Sequence, residues 1–202
     1  MILTLSVFLF YITSEYLSFR PDVNFLLVKE SVVFDAVWRP TFYIHVISGM
    51  AVILVGPIQF LPQIRQKSIK LHKLLGKIFA YGILLFAAPT GIIMAFYAEG
   101  GTSSTIAFLV MGGLWFTTTI MAIIKVKKKN ISGHQKWMYR SFALSFASVT
   151  LRNLVPVFSF TTPLSELEII LSIAWLSWII NLVISELFII FKFKTKSQNL
   201  SL

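Results

Sequence analysis

Three histidines carry most of the metal-binding or proton-transfer chemistry this chain can offer, because cysteine is absent. Without thiols there are no disulfides, thiolate metal sites, iron–sulfur clusters or cysteine nucleophiles. His72 and His134 each lie about one turn before an apolar stretch that starts from a lysine-rich side, whereas His45 opens a stretch that starts from the other side. The plain reading is an interfacial histidine hydrogen-bonded to a loop or a headgroup. The sharper reading makes His72 and His134 the two axial ligands of one b-type haem. A helix N-terminus disfavours imidazolium and keeps the ring in its neutral, ligating form. Lys73, Lys77, Lys136 and Arg140 can pair with propionates, and Gly76, one turn past His72, leaves room for a flat macrocycle. Against this, the flanking lysines keep both rings shallow, and His45 has no partner in the outer leaflet, so a two-haem wire across the membrane is not supported.

A divalent metal is the alternative cofactor, with Glu186 joining His72 and His134, since two histidines and a carboxylate make an open zinc or iron arrangement. No helix carries an i, i+4 histidine pair, so tertiary packing would have to assemble the set. Arg152, with Asn153 beside it, falls about fifteen residues into an apolar stretch, where an ionisable group marks function by default. Its candidate partners are Asn153, Glu166, Glu168 or an anionic headgroup reached by snorkelling. Glu186 has Arg140 as an alternative, structural partner. Pro57, Pro89 and Pro156 each leave a carbonyl without its helical donor, which predicts kinks or local unwinding, and Gln59 offers an amide near one of them.

The elements that must position these residues follow from composition. The chain has 202 residues, 56% of them hydrophobic and 13% charged, more apolar surface than a soluble core of this size hides. A hydrocarbon core about 30 Å thick needs about twenty apolar residues in a helix, because a helix satisfies its own backbone in lipid. Six stretches qualify, at about 2–19, 42–61, 74–98, 105–124, 137–158 and 167–191. The expectation is an all-α, six-helix transmembrane bundle forming a single domain over 1–202. Basic residues alternate with this path: Arg65 to Lys77 after the second helix, Lys125 to Arg140 around the fourth-to-fifth connection, and Lys192, Lys194 and Lys196 at the end. Glu15, Asp22, Glu30, Asp35, Glu99, Glu166 and Glu168 fall at the opposite ends. The positive-inside rule then puts both termini in the cytoplasm of an inner-membrane, multi-pass protein.

Segment 20–41, bounded by Pro21 and Pro40, is too polar to span and predicts an outer interfacial cover. Trp38, Tyr43, Trp137 and Tyr139 sit near predicted boundaries, where aromatic rings anchor to headgroups. The series Ser141, Ala143, Ser145, Ala147 and Ser148, with Gly112 and Gly113, predicts close helix contacts. The net charge of +10 sits in short clusters between apolar runs rather than along one face, so lipid headgroups are the expected partner and nucleic acid is not. A weak echo links KLHKLLGKIF at 70–79 with GHQKWMYRSF at 133–142, each opening an inside-to-outside helix.

With those residues in view, the chain resembles a bacterial predicted-membrane-protein family, domain of unknown function 2306, over roughly 43–186. The resemblance rests on FYIH at 42–45, GPIQF at 56–60, LHKLLG at 71–76, Trp115 with Thr117 and Thr118, HQKWMYRS at 134–141, TLR at 150–152 and the stretch from Trp178 to Glu186. It implies the six-helix arrangement and makes His45, His72, His134, Arg152 and Glu186 family features, without supplying an activity. A looser likeness to transmembrane b-type cytochromes concerns only the third-plus-fifth helix pair. Three classes compete: an accessory subunit of a larger membrane complex without a cofactor, a single-haem electron carrier, and a small transporter or metal- or lipid-binding protein. No nucleotide loop or serine–histidine–aspartate set is present, so hydrolase or kinase chemistry is not expected.

Overall fold

The computed structural model describes residues 2–198, and their regular structure is helical throughout. Residues 1 and 199–202 of the expected domain, and the Lys196 side chain, lie outside what is described. The helices gather into two compact units, 1–113 and 114–202.

In the first unit, α1 (Ile2–Ser14) runs into a 3-10 turn (Glu15–Ser18), and a second 3-10 helix (Asn24–Lys29) precedes α2 (Trp38–Gln59). The short α3 (Pro62–Lys67) leads to α4 (Ile69–Tyr81), a π-helical turn (Gly82–Ala87) and α5 (Ala88–Ala95). Pro89 has no N–H for the carbonyl four residues back and crowds that turn. Widening the preceding turn to π geometry relieves the crowding without breaking the helix. α2 packs against α4, the π turn and α5, and α1 packs on α2. Gly100 and Gly101 turn the chain at φ 91° and 64°, values that cost a residue with a Cβ, before α6 (Gly101–Lys127), within which the division between units falls.

The second unit adds α7 (Ile131–Ser145), α8 (Ala147–Thr161) and α9 (Glu166–Gln198), with α9 packed on both. Helices α4 and α7 start at Ile69 and Ile131 rather than near 74 and 137, the apolar edges. Polar caps extend them: Ser68 Oγ accepts from Leu71 N at 3.2 Å, and Asn130 Oδ1 from Gly133 N at 2.8 Å.

Among the described residues, four helices are long and apolar enough to cross a membrane: Trp38–Gln59, Ile69–Ala95, Gly101–Lys127 and Glu166–Lys194. A fifth crossing follows if α7 and α8, joined through a 40° bend, act as one span. α1 covers 13 residues, about 20 Å at 1.5 Å per residue, and is shorter than that length on its own. The bend between α7 and α8 lies at Phe146, ten residues before Pro156. Ser145 Oγ donates back to Ser141 O at 3.0 Å, a bond that competes with the helical ladder and bends it.

Segment 20–37 folds over the start of α2. Leu26 and Val33 pack with Tyr16, Trp38, Phe42 and Tyr43, the Trp38 ring stacked on Phe42 at 5.1 Å. Trp38, expected as a lipid-boundary anchor, is instead 1% exposed, because this segment covers it; Tyr43 is buried with it. Lys29 pins the cover, its Nζ bonding Glu99 Oε1 and Tyr97 O at 2.5 Å each. Asp35 accepts N–H bonds from Trp38 and Val37 at the start of α2, which hold its carboxyl below the usual aspartate range.

Candidate functional site: polar groups within the helices

Each histidine has its Nδ1 engaged inside its own unit. On α2, His45 Nδ1 lies 2.9 Å from Ala87 O, the last residue of the π turn, and 3.5 Å from Thr90 Oγ1. A carbonyl only accepts, so Nδ1 carries the proton and the neutral ring presents a lone pair at Nε2. A Cβ at Gly91 would stand 3.0 Å from His45 Cε1, so the glycine permits this approach.

His72, the fourth residue of α4, meets Gln59 at the end of α2. With its amide nitrogen toward the histidine, Gln59 donates to His72 O and Nδ1 at 3.1 Å each, and its oxygen accepts from Gly76 N at 3.3 Å. The amide thus docks on one helical peptide step of α4. A Cβ at Gly76 would stand 3.3 Å from the Gln59 amide, so the room beside this glycine holds a side chain rather than a macrocycle. An accepting Nδ1 places the neutral ring's proton on Nε2, the reverse of His45. Lys73 on the same helix is exposed.

In the second unit, His134 is the fourth residue of α7 and donates from Nδ1 to Ala122 O at 2.9 Å. Two further rungs follow up the same pair of helices. Thr119 Oγ1 and Ser141 Oγ are 2.8 Å apart, and Trp115 Nε1 donates to Ser145 Oγ at 3.0 Å. His134, Ser141 and Ser145 at i, i+7 and i+11 share one face of α7, and Trp115, Thr119 and Ala122 at i, i+4 and i+7 share one face of α6. The result is a polar zipper, and it accounts for the burial of Ser141 and Ser145. Ala143 and Ala147 are buried as expected, while Ser148 is exposed.

α9 meets α7 and α8 through charged and amide groups. Arg140 Nε and Nη2 reach Glu186 Oε1 and Oε2 at 2.5 and 2.8 Å, a bidentate pair. Thr150 Oγ1 donates to Asn181 Oδ1 at 3.0 Å. Arg152 is half-buried on α8, and the Asn153 amide turns back to Val149 O at 2.8 Å. Glu168 is taken up by Ser165 N and Oγ at the start of α9, at 2.8 and 2.7 Å, in a capping arrangement. Among the described residues, no three His, Asp or Glu side chains gather at metal-binding distance.

A family model described as Predicted membrane protein (DUF2306) matches residues 42–189. The chain belongs to this family. It is a membrane protein of unknown function, and the matched stretch takes in every polar tie just described except those of the segment before α2. No curated protein and no solved structure matches the chain.

Within each unit, these groups join helix to helix. In His134 and His45 the Nδ1 bond to a carbonyl is the one that a ligating imidazole makes with its other N–H. Sequence reasoning passed over Asn181, Thr119 and Lys29. A lone asparagine inside an apolar run is itself the signal for Asn181, and hydroxyl residues at helical spacing on neighbouring stretches are the signal for the zipper.

Proposed function

We infer that this protein is a six-span inner-membrane protein, built as one transmembrane domain with both termini in the cytoplasm, that serves without a cofactor as an accessory subunit of a larger membrane complex. The observation that carries this reading is the engagement of intramembrane polar side chains in ties between helices: Gln59 to His72, His45 to Ala87, the three rungs from His134 to Trp115, and Arg140 to Glu186. Groups so engaged fix helix positions, which is what a scaffold requires. The connections in the second unit are short, with three residues between α6 and α7 and one between α7 and α8. Apolar side chains such as Phe191, Ile184 and Phe160 face outward and suit lipid or a neighbouring subunit. α1 counts as the sixth span when its 3-10 extension and local thinning of the bilayer are included.

The test has two arms. Reporters fused within 127–129 and after the C-terminus are expected on the cytoplasmic side, with a reporter in 20–37 opposite. Protein at native abundance, extracted gently, is expected to migrate as a complex well above its 22.9 kDa chain and to show no visible absorption. A haem band lost in His134→Ala, or a lone monomer, overturns the accessory reading.

A further inference from the structure

Near the start of α7 and the last turns of α9, cationic side chains are laid across aromatic rings. The seam has three steps. Arg140, paired with Glu186, holds its guanidinium 4.6 Å from the Trp137 ring. One step outward, the Tyr139 ring meets Phe188 edge-on at 5.0 Å, and its hydroxyl accepts from Lys192 Nζ at 2.6 Å. The same ammonium stands 5.0 Å from the Tyr139 centroid and 5.3 Å from that of Phe188. Last, Lys136 Nζ lies 4.9 Å over Phe193.

Charge does not balance along this seam. Glu186 offsets Arg140, and among the described residues no carboxylate pairs with Lys136 or Lys192. Rings beneath both ammoniums restrict their rotamers before anything binds, which lowers the entropy cost of gripping an anion. On the turns of α9 before Lys192, at i−4 and i−8, Phe188 and Ile184 are 48% and 60% exposed, an apolar strip on the same side of the helix as that ammonium. By contrast Lys127, Lys128 and Lys129 stand in an exposed turn.

A pair of oriented ammoniums above an exposed apolar face has the polarity of one kind of molecule, charged at one end and hydrocarbon at the other. We propose that Lys136 and Lys192, positioned by Phe193, Tyr139 and Phe188, bind the phosphate of an anionic lipid headgroup whose acyl chains lie along α9. The site requires only that these helices sit in a bilayer, so it stands apart from the accessory role.

The test uses the full-length protein in neutral detergent, with thermal unfolding followed as phosphatidylglycerol, phosphatidylcholine or inorganic phosphate is added. Phosphatidylglycerol should raise the unfolding temperature and the other two should not. In the double variant Lys136→Gln, Lys192→Gln its apparent affinity should fall about thirtyfold, from roughly fivefold per lysine. The double variant Lys128→Gln, Lys129→Gln, with the same change in charge, should behave as the parent. An equal loss in both variants, an equal shift with phosphatidylcholine, or a shift reproduced by inorganic phosphate would overturn the proposal. Should the first variant fail to fold, native mass spectrometry of the parent decides, since no preferential retention of phosphatidylglycerol over phosphatidylcholine rejects the site.

Discussion

Helices α4 and α7 begin alike. Each follows a polar cap, Ser68 or Asn130, and carries a histidine as its fourth residue, with His72 N donating to Ser68 O and His134 N to Asn130 O. They part at Nδ1. His134 donates from that atom to the Ala122 carbonyl on α6, whereas His72 accepts there from the Gln59 amide on α2. Local sequence therefore sets where each ring stands, and the neighbouring helix sets which nitrogen holds the proton. The two rings present opposite chemistry at Nε2, an acceptor in one unit and a donor in the other.

Substitutions can break or sharpen this contrast. The largest effect is expected from Trp115→Ala, which empties a buried ring's volume and strips Ser145 Oγ of its donor. A loss of about 3 kcal/mol in detergent unfolding is expected, together with loosening of the rung at His134, seen as a mixed tautomer signal in nitrogen NMR. An unchanged His134 signal would mean that the rungs are independent. Arg140→Gln should cost about 2 kcal/mol by leaving Glu186 without its cation; the half-exposed carboxylate keeps this below the value for a fully buried pair. Neither change should alter His72. Gln59→Leu keeps the bulk and removes the amide, costing about 1 kcal/mol. Its diagnostic outcome is spectroscopic: the His72 proton should no longer be confined to Nε2 while His134 stays protonated at Nδ1. Joint movement of both rings would show that the difference is not set locally. The smallest change is expected from Thr119→Val, about 0.6 kcal/mol, the usual scale for one hydrogen bond between membrane helices. Near-additivity with Ser141→Ala would argue against the bond between them.

The membrane class and the helical character were legible because apolar runs near twenty residues have few other solutions. Helix starts were less so, since Ser68 and Asn130 extend α4 and α7 into lysine-rich sequence that hydropathy discounts. The Arg140 and Glu186 pairing could be listed as an alternative from charge alone. That Gln59 serves His72 could not, because the two are joined through α3, whose turn directs α4 back along α2. Trp38 illustrates the reverse error: its position at a boundary suggested lipid contact, yet the nonlocal packing of Leu26 and Val33 buries it.

The widened turn at Gly82–Ala87 has a consequence for comparing sequences. Relative to a plain α-helix it accommodates roughly one additional residue, so everything after it is rotated by about 100°. Thr90 and Gly91 reach His45 only because of that offset. An alignment that forbids gaps inside spans would place these two positions on the wrong side of any relative whose helix is regular here, and deletion of one residue among 83–85 would turn them away from the imidazole without removing any residue that touches it.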